Sequence, residues 1–201
     1  MNLVFDLGAV IFTFEPLRLV AEIWPQLARD PDKAAALSRR VFGPEWLRFD
    51  RGIVTAEALV PQLAEATGLQ PADLERVIVR VRDGLVPMPA TVALLPRLRE
   101  RGHRLFYLSN MPGPFAARLR VDSDVLSLFD DGLFSCDLQL VKPEAAIYRA
   151  AEQRFDMRAE EAVFIDDTQP NVDGALAAGW AAFRFDDAAQ CEADLTARGL
   201  L

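Results

Sequence analysis

Apolar and polar positions alternate with two different periods along this chain. Leu3-Val4-Phe5 is an unbroken apolar run that ends at Asp6, and Gly8 interrupts the chain just beyond it. No polar residue alternates with the apolar ones, so the run predicts a strand buried on both faces. Strand-like runs recur at 104–108, 132–135, 162–165 and 181–185. Between them, helical spacing predicts helices at 89–101, 143–155 and 171–178, with Gly102 and Gly179 as stop signals. The stretch between the first strand and residue 85 differs. Its apolar positions predict helices at 16–30, 32–42, an aromatic and basic segment at 45–51, a helix opened by Thr55 and closed by Gly68, and a helix at 71–82. It contains no strand-like run.

Strands alternating with helices imply an α/β fold with a parallel sheet and right-handed crossovers. The helical block is then an insertion, so the expected organisation is an α/β core of residues 1–14 and 86–201 carrying a helical unit of residues 15–85. In such sheets the ligand crevice lies outside the carboxyl ends of the strands. Four chain segments deliver polar residues there: Asp6, Ser109-Asn110, Lys142-Pro143, and Asp166-Asp167 with Asn171. Taken singly, each has an ordinary explanation as a helix cap, a turn or a solvated lysine. Their recurrence at successive strand ends argues for a site. Asp6 itself reads as a cap, a metal ligand or a covalent nucleophile. Three clustered carboxylates call for a divalent cation, and hard oxygen donors suit Mg2+. Lys142 and the Ser109 hydroxyl would hold an anion beside it. This equipment suits phosphoryl transfer, which depends on positioning and charge stabilisation.

Composition narrows the partners. The 201 residues are 51% hydrophobic, enough for a sizeable core, and carry a net charge of −8 with no long basic run. That argues against nucleic acid, though not against a small anion held by a local lysine and a metal. No apolar run approaches a membrane span of about 20 residues, and no basic segment precedes an apolar stretch at the start, so no signal peptide is expected. Cys136 and Cys191 stand alone, without a CxxC pair. A reduced, cytoplasmic protein without disulfides or a zinc site is expected. Monomer and homodimer both remain open.

The order Phe-Asp6-Leu-Gly-Ala-Val, Tyr-Leu-Ser109-Asn110, Val-Lys142-Pro143-Glu144 and Phe-Ile-Asp166-Asp167-Thr-Gln-Pro-Asn171 resembles the four motifs of the haloacid dehalogenase-like hydrolase superfamily, across the whole chain. The resemblance implies a Rossmann-like sheet flanked by helices, with residues 15–85 as a small α-helical cap domain. Residues 51–55, Arg-Gly-Ile-Val-Thr, resemble the subgroup of α-D-glucose-1-phosphate phosphatases and epoxide-hydrolase N-terminal phosphatases. By this resemblance Asp6 attacks phosphorus and becomes an aspartyl phosphate. Ser109 and the backbone near Asn110 bind the transferring group, and Lys142 neutralises it and Asp6. Mg2+ is held by Asp6, the Gly8 carbonyl and Asp167, with Asp166 acting through water and Asn171 supporting the loop. The implied activity is Mg2+-dependent hydrolysis of a small phosphorylated metabolite, a sugar phosphate among the candidates.

One position departs from the pattern. Most phosphatases of the superfamily carry an acid-base Asp two residues after the nucleophile, and here that residue is Gly8. General acid-base help is typically worth about 10²–10⁴-fold. Either the leaving group departs as a stable anion, or another group or a water supplies the proton; Thr13 and Glu15 are the nearest polar candidates. The alternative is a weak or silent member that binds a phosphorylated ligand or a protein. A phosphotransferase or mutase would ordinarily need the missing acid. The dehalogenase branch is disfavoured, since its first motif usually carries Tyr where Gly8 stands. Trp46, Arg48, Phe49 and Arg51 could face substrate, or Trp46 and Phe49 could form a core stripe. His103, the one histidine, begins a strand at the far end and reads as structural.

Overall fold

The structure is a computed structural model that describes all 201 residues. Strand β1 (Asn2–Phe5) is followed by five helices: α1 (Pro16–Ile23), α2 (Pro31–Val41), α3 (Pro44–Asp50), α4 (Ala56–Thr67) and α5 (Pro71–Asp83). Then come α6 (Pro89–Val92), α7 (Leu94–Glu100), β2 (Arg104–Ser109), α8 (Gly113–Asp122), β3 (Asp131–Phe134) and α9 (Ser135–Leu138). The chain closes with α10 (Ala145–Phe155), β4 (Ala162–Asp166), α11 (Gln169–Ala177), β5 (Ala181–Arg184) and α12 (Ala188–Ala197). The sheet is all parallel in the order β3-β2-β1-β4-β5, which puts β1 at its centre. It is the α/β fold expected, a parallel sheet flanked by helices.

The apolar run of β1 is continuous because both faces are covered. Leu3 and Phe5 enter one core cluster while Val4 enters another, with Phe106, Phe164, Tyr148 and Trp180. The larger cluster does not stop at the sheet. It runs on into the helical insertion through Phe49, which meets Phe115 edge-on at 5.7 Å between ring centroids.

Several boundaries differ from the sequence expectation. The first helix ends at Ile23 rather than residue 30, because Trp24 precedes Pro25 and takes non-helical angles. The expected helix 89–101 is broken after Val92. Pro96 has no N–H to offer the Val92 carbonyl. The expected helix from 143 starts at Ala145, since Glu144 is held in a turn by its N–H to the Val141 carbonyl (2.9 Å). Helices α8, α9 and α12 were not anticipated. The insertion leaves and rejoins the core through two adjacent linkers: Thr13 N–H donates to Val86 O and Met88 N–H to Ile11 O, both at 2.8 Å.

Candidate active site

Register places the first carboxylates. Phe5 pairs with Tyr107 on one side and Ile165 on the other, so Asp6 and Asp166 leave adjacent strands side by side, with Ser109 ending the strand opposite. The Asp6 N–H donates to the Ile165 carbonyl at 2.8 Å, which holds the chain in line until that point. Beyond it Leu7 turns sharply: its carbonyl accepts the N–H groups of Ile11 (2.9 Å) and Phe12 (2.8 Å), and Ala9 sits at a positive φ of 58°.

Lys142 is the hinge of the charge arrangement. It is buried, with its Nζ 2.9 Å from Asp6 Oδ1 and 2.6 Å from Asp166 Oδ2. Asn110 fixes its backbone from both sides, accepting its N–H at 2.8 Å and donating to its carbonyl at 3.1 Å. The Asn110 side chain is therefore spent on Lys142, leaving only its backbone toward the cavity. Asp166 is wholly enclosed and fully bonded, taking hydrogen bonds from Lys142, from Asn171 Nδ2 (3.0 and 3.1 Å) and from the Thr168 N–H (2.8 Å). Tyr148 in turn anchors the Asn171 carbonyl at 2.7 Å. Asp6 Oδ1 also accepts the Leu7 N–H at 2.7 Å, whereas Oδ2 has no protein partner.

Electrostatics follow from this crowding. Burial raises the Asp6 carboxyl to about 7 despite the opposing pull of Lys142, with Asp166 and Asp167 adding repulsion. Burial and Asp166 likewise raise Asp167 to about 6. Burial alone would depress Lys142, but the two carboxylates beside it hold it above the ordinary lysine range. One oxygen each from Asp6, Asp166 and Asp167 lies within 4.8 Å of the others. A set of hard oxygen donors, three carboxylates against one ammonium, with two of them raised by burial and by repulsion from their neighbours, fits a hard divalent cation.

These residues face a cavity of about 340 Å³ lined by Asp6, Gly8, Ser109, Asn110, Lys142, Asp167 and Asn171 from the core. Asp166 lies behind it. The insertion closes the other side with Phe42, Trp46, Leu47, Val81 and Leu85, joined by Phe14, Met111 and Phe115. Thr13 and Glu15 are not there. The Thr13 hydroxyl donates to the Gly84 carbonyl and Glu15 pairs with Arg18, both beside a separate depression between α1 and α5. Neither can protonate a leaving group at Asp6. Arg48 is tied to Glu45 and Gln62, and Arg51 reaches the core to bind Glu144, so neither lines the cavity. Trp46 and Phe49 are both buried in an edge-to-face aromatic row with Phe42 and Phe115, and Trp46 also lines the cavity. His103 Nε2 donates to the Leu200 carbonyl at 2.9 Å, remote from the site.

Sequence reasoning passed over one charged lining residue. Asp50, at the end of α3, enters the cavity from the insertion. Burial and the Asp6 charge raise its carboxyl to about 8, against the Trp46 indole and Lys142. The signal was its place at i+4 from Trp46 and next to Phe49, a carboxylate on the apolar face of a helix.

Sheet order, strand-end residues and the bonded Asp6-Lys142-Asp166 row define a parallel α/β fold with a charged site at its strand ends, and the chain belongs to the haloacid dehalogenase-like hydrolase family, whose profile matches residues 1–179. Among its relatives, the sesquiterpene phosphatase astK of Aspergillus oryzae is 26% identical over 185 residues, covering 92% of this chain and 89% of that protein. A Porphyromonas gingivalis protein described as a predicted HAD-like family hydrolase superposes with a TM-score of 0.70 at 23% identity, covering 98% of this chain and 96% of the other. A HAD family enzyme of Bacteroides thetaiotaomicron, solved with magnesium and inorganic phosphate, superposes with a TM-score of 0.66 at 20% identity, over 91% and 92% of the two chains. No helix is long and apolar enough to cross a membrane.

Proposed function

We propose that the protein is a Mg2+-dependent phosphatase acting through an aspartyl phosphate on Asp6. The observation that carries this reading is Asp6 itself: Lys142 orients one carboxylate oxygen, while the other is unbonded and the residue borders the cavity. Asp6 Oδ2 attacks phosphorus, and the Ser109 hydroxyl with the Asn110 backbone holds the transferring group. Lys142 balances the charge of that group and of Asp6. Asp6, the Gly8 carbonyl and Asp167 would hold the metal, with Asp166 in its outer shell. When bound, the ion supplies charge neutralisation and a template for the phosphoryl oxygens. Residues 15–85 act as the cap that closes over the substrate.

Apart from Asp50, the cap side of the cavity is apolar, and no ring of hydrogen-bonding side chains surrounds it to receive sugar hydroxyls. The relative astK is named a sesquiterpene phosphatase. A monophosphate with an apolar organic group therefore stands ahead of a sugar phosphate as substrate. Gly8 favours the second reading, a silent binder of phosphorylated ligands. Hydrolysis of an activated aryl phosphate, with and without magnesium, separates the two. The phosphatase reading expects magnesium-dependent release that Asp6→Asn abolishes, roughly 10⁴-fold or more. Tight phosphate and magnesium binding without turnover would establish the binder instead.

A further inference from the structure

Resting on the phosphatase reading, we propose that Asp50 of the insertion is the catalytic acid-base group that position 8 lacks, protonating the leaving oxygen and then activating water.

Asp50 borders the same cavity as Asp6, Gly8, Ser109 and Lys142. Its position is set by the core rather than by the insertion alone. The Ser135 hydroxyl donates to the Asp50 carbonyl and also accepts the Met111 N–H at 2.9 Å, which ties Asp50 to the loop that carries Ser109 and Asn110. The next residue, Arg51, donates to Glu144 and to the Gln139 carbonyl, both at 3.0 Å, on the loops flanking Lys142. Gly52 follows at φ +78°, and a Cβ there would stand 3.0 Å from Cys136. Three consecutive residues thus register the tip of the insertion to both loops of the site.

The carboxyl group has the Trp46 indole, one turn back on the same helix, as its partner, and no cation accompanies it. It forms no ion pair: the nearest cation along the chain, Arg51, is bound to Glu144, and Lys142 is shared by Asp6 and Asp166. It ends α3, where the helix dipole disfavours a negative charge. A half-buried acid without a cation, facing carboxylates and a helix C-terminus, is kept in its protonated form, and its raised affinity for the proton agrees. A protonated acid on the wall of the cavity can donate.

The proton accounting closes over both steps. As Asp6 Oδ2 bonds to phosphorus, the bond from phosphorus to the organic oxygen breaks, and the Asp50 proton passes to that oxygen to give the alcohol. Asp50, now a carboxylate, takes a proton from the water that attacks the aspartyl phosphate. The Asp6–phosphorus bond breaks with its electron pair returning to Asp6, phosphate leaves, and Asp50 is protonated again.

The experiment is a series of phosphate monoesters, from p-nitrophenyl phosphate through less acidic phenols to an alkyl phosphate, with magnesium, read as both initial burst and steady state. The wild type should show a shallow dependence on leaving-group acidity. Asp50→Asn should make it steep, lowering alkyl ester turnover about 10²–10⁴-fold while a burst of p-nitrophenol persists ahead of slow steady-state release. Gly8→Asp in the Asp50→Asn background should restore the shallow dependence; a Cβ at Gly8 meets only Phe14 Cβ, at 3.8 Å, so the added side chain has room. A steep dependence in the wild type overturns the proposal without any variant. So does a folded Asp50→Asn enzyme with the wild-type slope. A wild type that hydrolyses none of the esters overturns the phosphatase reading itself, a different outcome.

Discussion

Carboxylates on the two sides of one cavity are treated in opposite ways. On the sheet side, Asp166 is enclosed completely and receives hydrogen bonds from Lys142, Asn171 and the Thr168 backbone. On the helical side, Asp50 has no cation and ends a helix. Burying a charge is costly unless it is paired and hydrogen-bonded. The sheet side meets that requirement with Lys142 and can keep charges in place, which suits holding a metal and a phosphoryl group. The helical side meets it by keeping the acid neutral, which suits moving a proton. Asp6 lies between the two: one oxygen is bonded as in Asp166 and the other is unbonded.

The largest effect should come from removing the pairing on the sheet side. Lys142→Met leaves Asp6 and Asp166 facing each other without compensation. Breaking a buried pair from one side costs about 3–5 kcal/mol, so denaturant titration should show a loss of that order. Turnover of p-nitrophenyl phosphate should fall at least about 10³-fold. Stability and turnover close to wild type would mean that Lys142 does not hold the carboxylates as charges.

A smaller effect sharpens the division among the carboxylates themselves. Asp167 has a single hydrogen-bonded neighbour, Thr168, and is the least buried of the three, whereas Asp166 is saturated by protein groups. Asp167→Ala should raise the magnesium concentration for half-maximal activity by about 10-fold or more with little change in melting temperature. Asp166→Ala should chiefly lower the melting temperature, because it leaves the Asn171 amide without its acceptor and Lys142 with Asp6 alone. The reverse pattern in paired magnesium titrations and thermal melts would exchange the two roles.

The smallest effect concerns pH on the helical side. An unfolded Asp50 ionises near 3.8, whereas the folded one holds its proton to about 8. Between those values the folded state binds the extra proton, so stability of the metal-free protein falls as pH rises through the window. Asp50→Asn cannot ionise and should lose that part of the slope, while Asp6, raised to about 7, keeps its own. After allowance for solvent screening the gain at pH 8 is on the order of 1 kcal/mol, or about 2–4 °C in melting temperature. Parallel pH–stability curves for the two proteins in chelator would show that Asp50 ionises as freely in the folded state as in the unfolded one.

The amino-acid sequence alone determined the parallel α/β sheet, because strands covered on both faces leave continuous apolar runs and their crossover helices leave a different period. It also marked Asp6, Ser109 and Asp166-Asp167, because each stands where an apolar strand run ends, and Lys142, in the loop ahead of a helix; strand ends in such a sheet share one edge. Helix limits at Trp24 and Val92 were misjudged where a proline acts on a residue before it or a turn away. Only the tertiary structure decided which polar residues of the insertion reach that edge. Thr13 and Glu15, near Asp6 in the chain, were drawn to the linkers and to Arg18, while Asp50, 44 positions beyond Asp6 in the numbering, was brought to the cavity. A helix has no register with a sheet, so its placement depends on long-range packing of Phe49 on Phe115 and on the Ser135 and Glu144 contacts, and local periodicity carries no record of those partners.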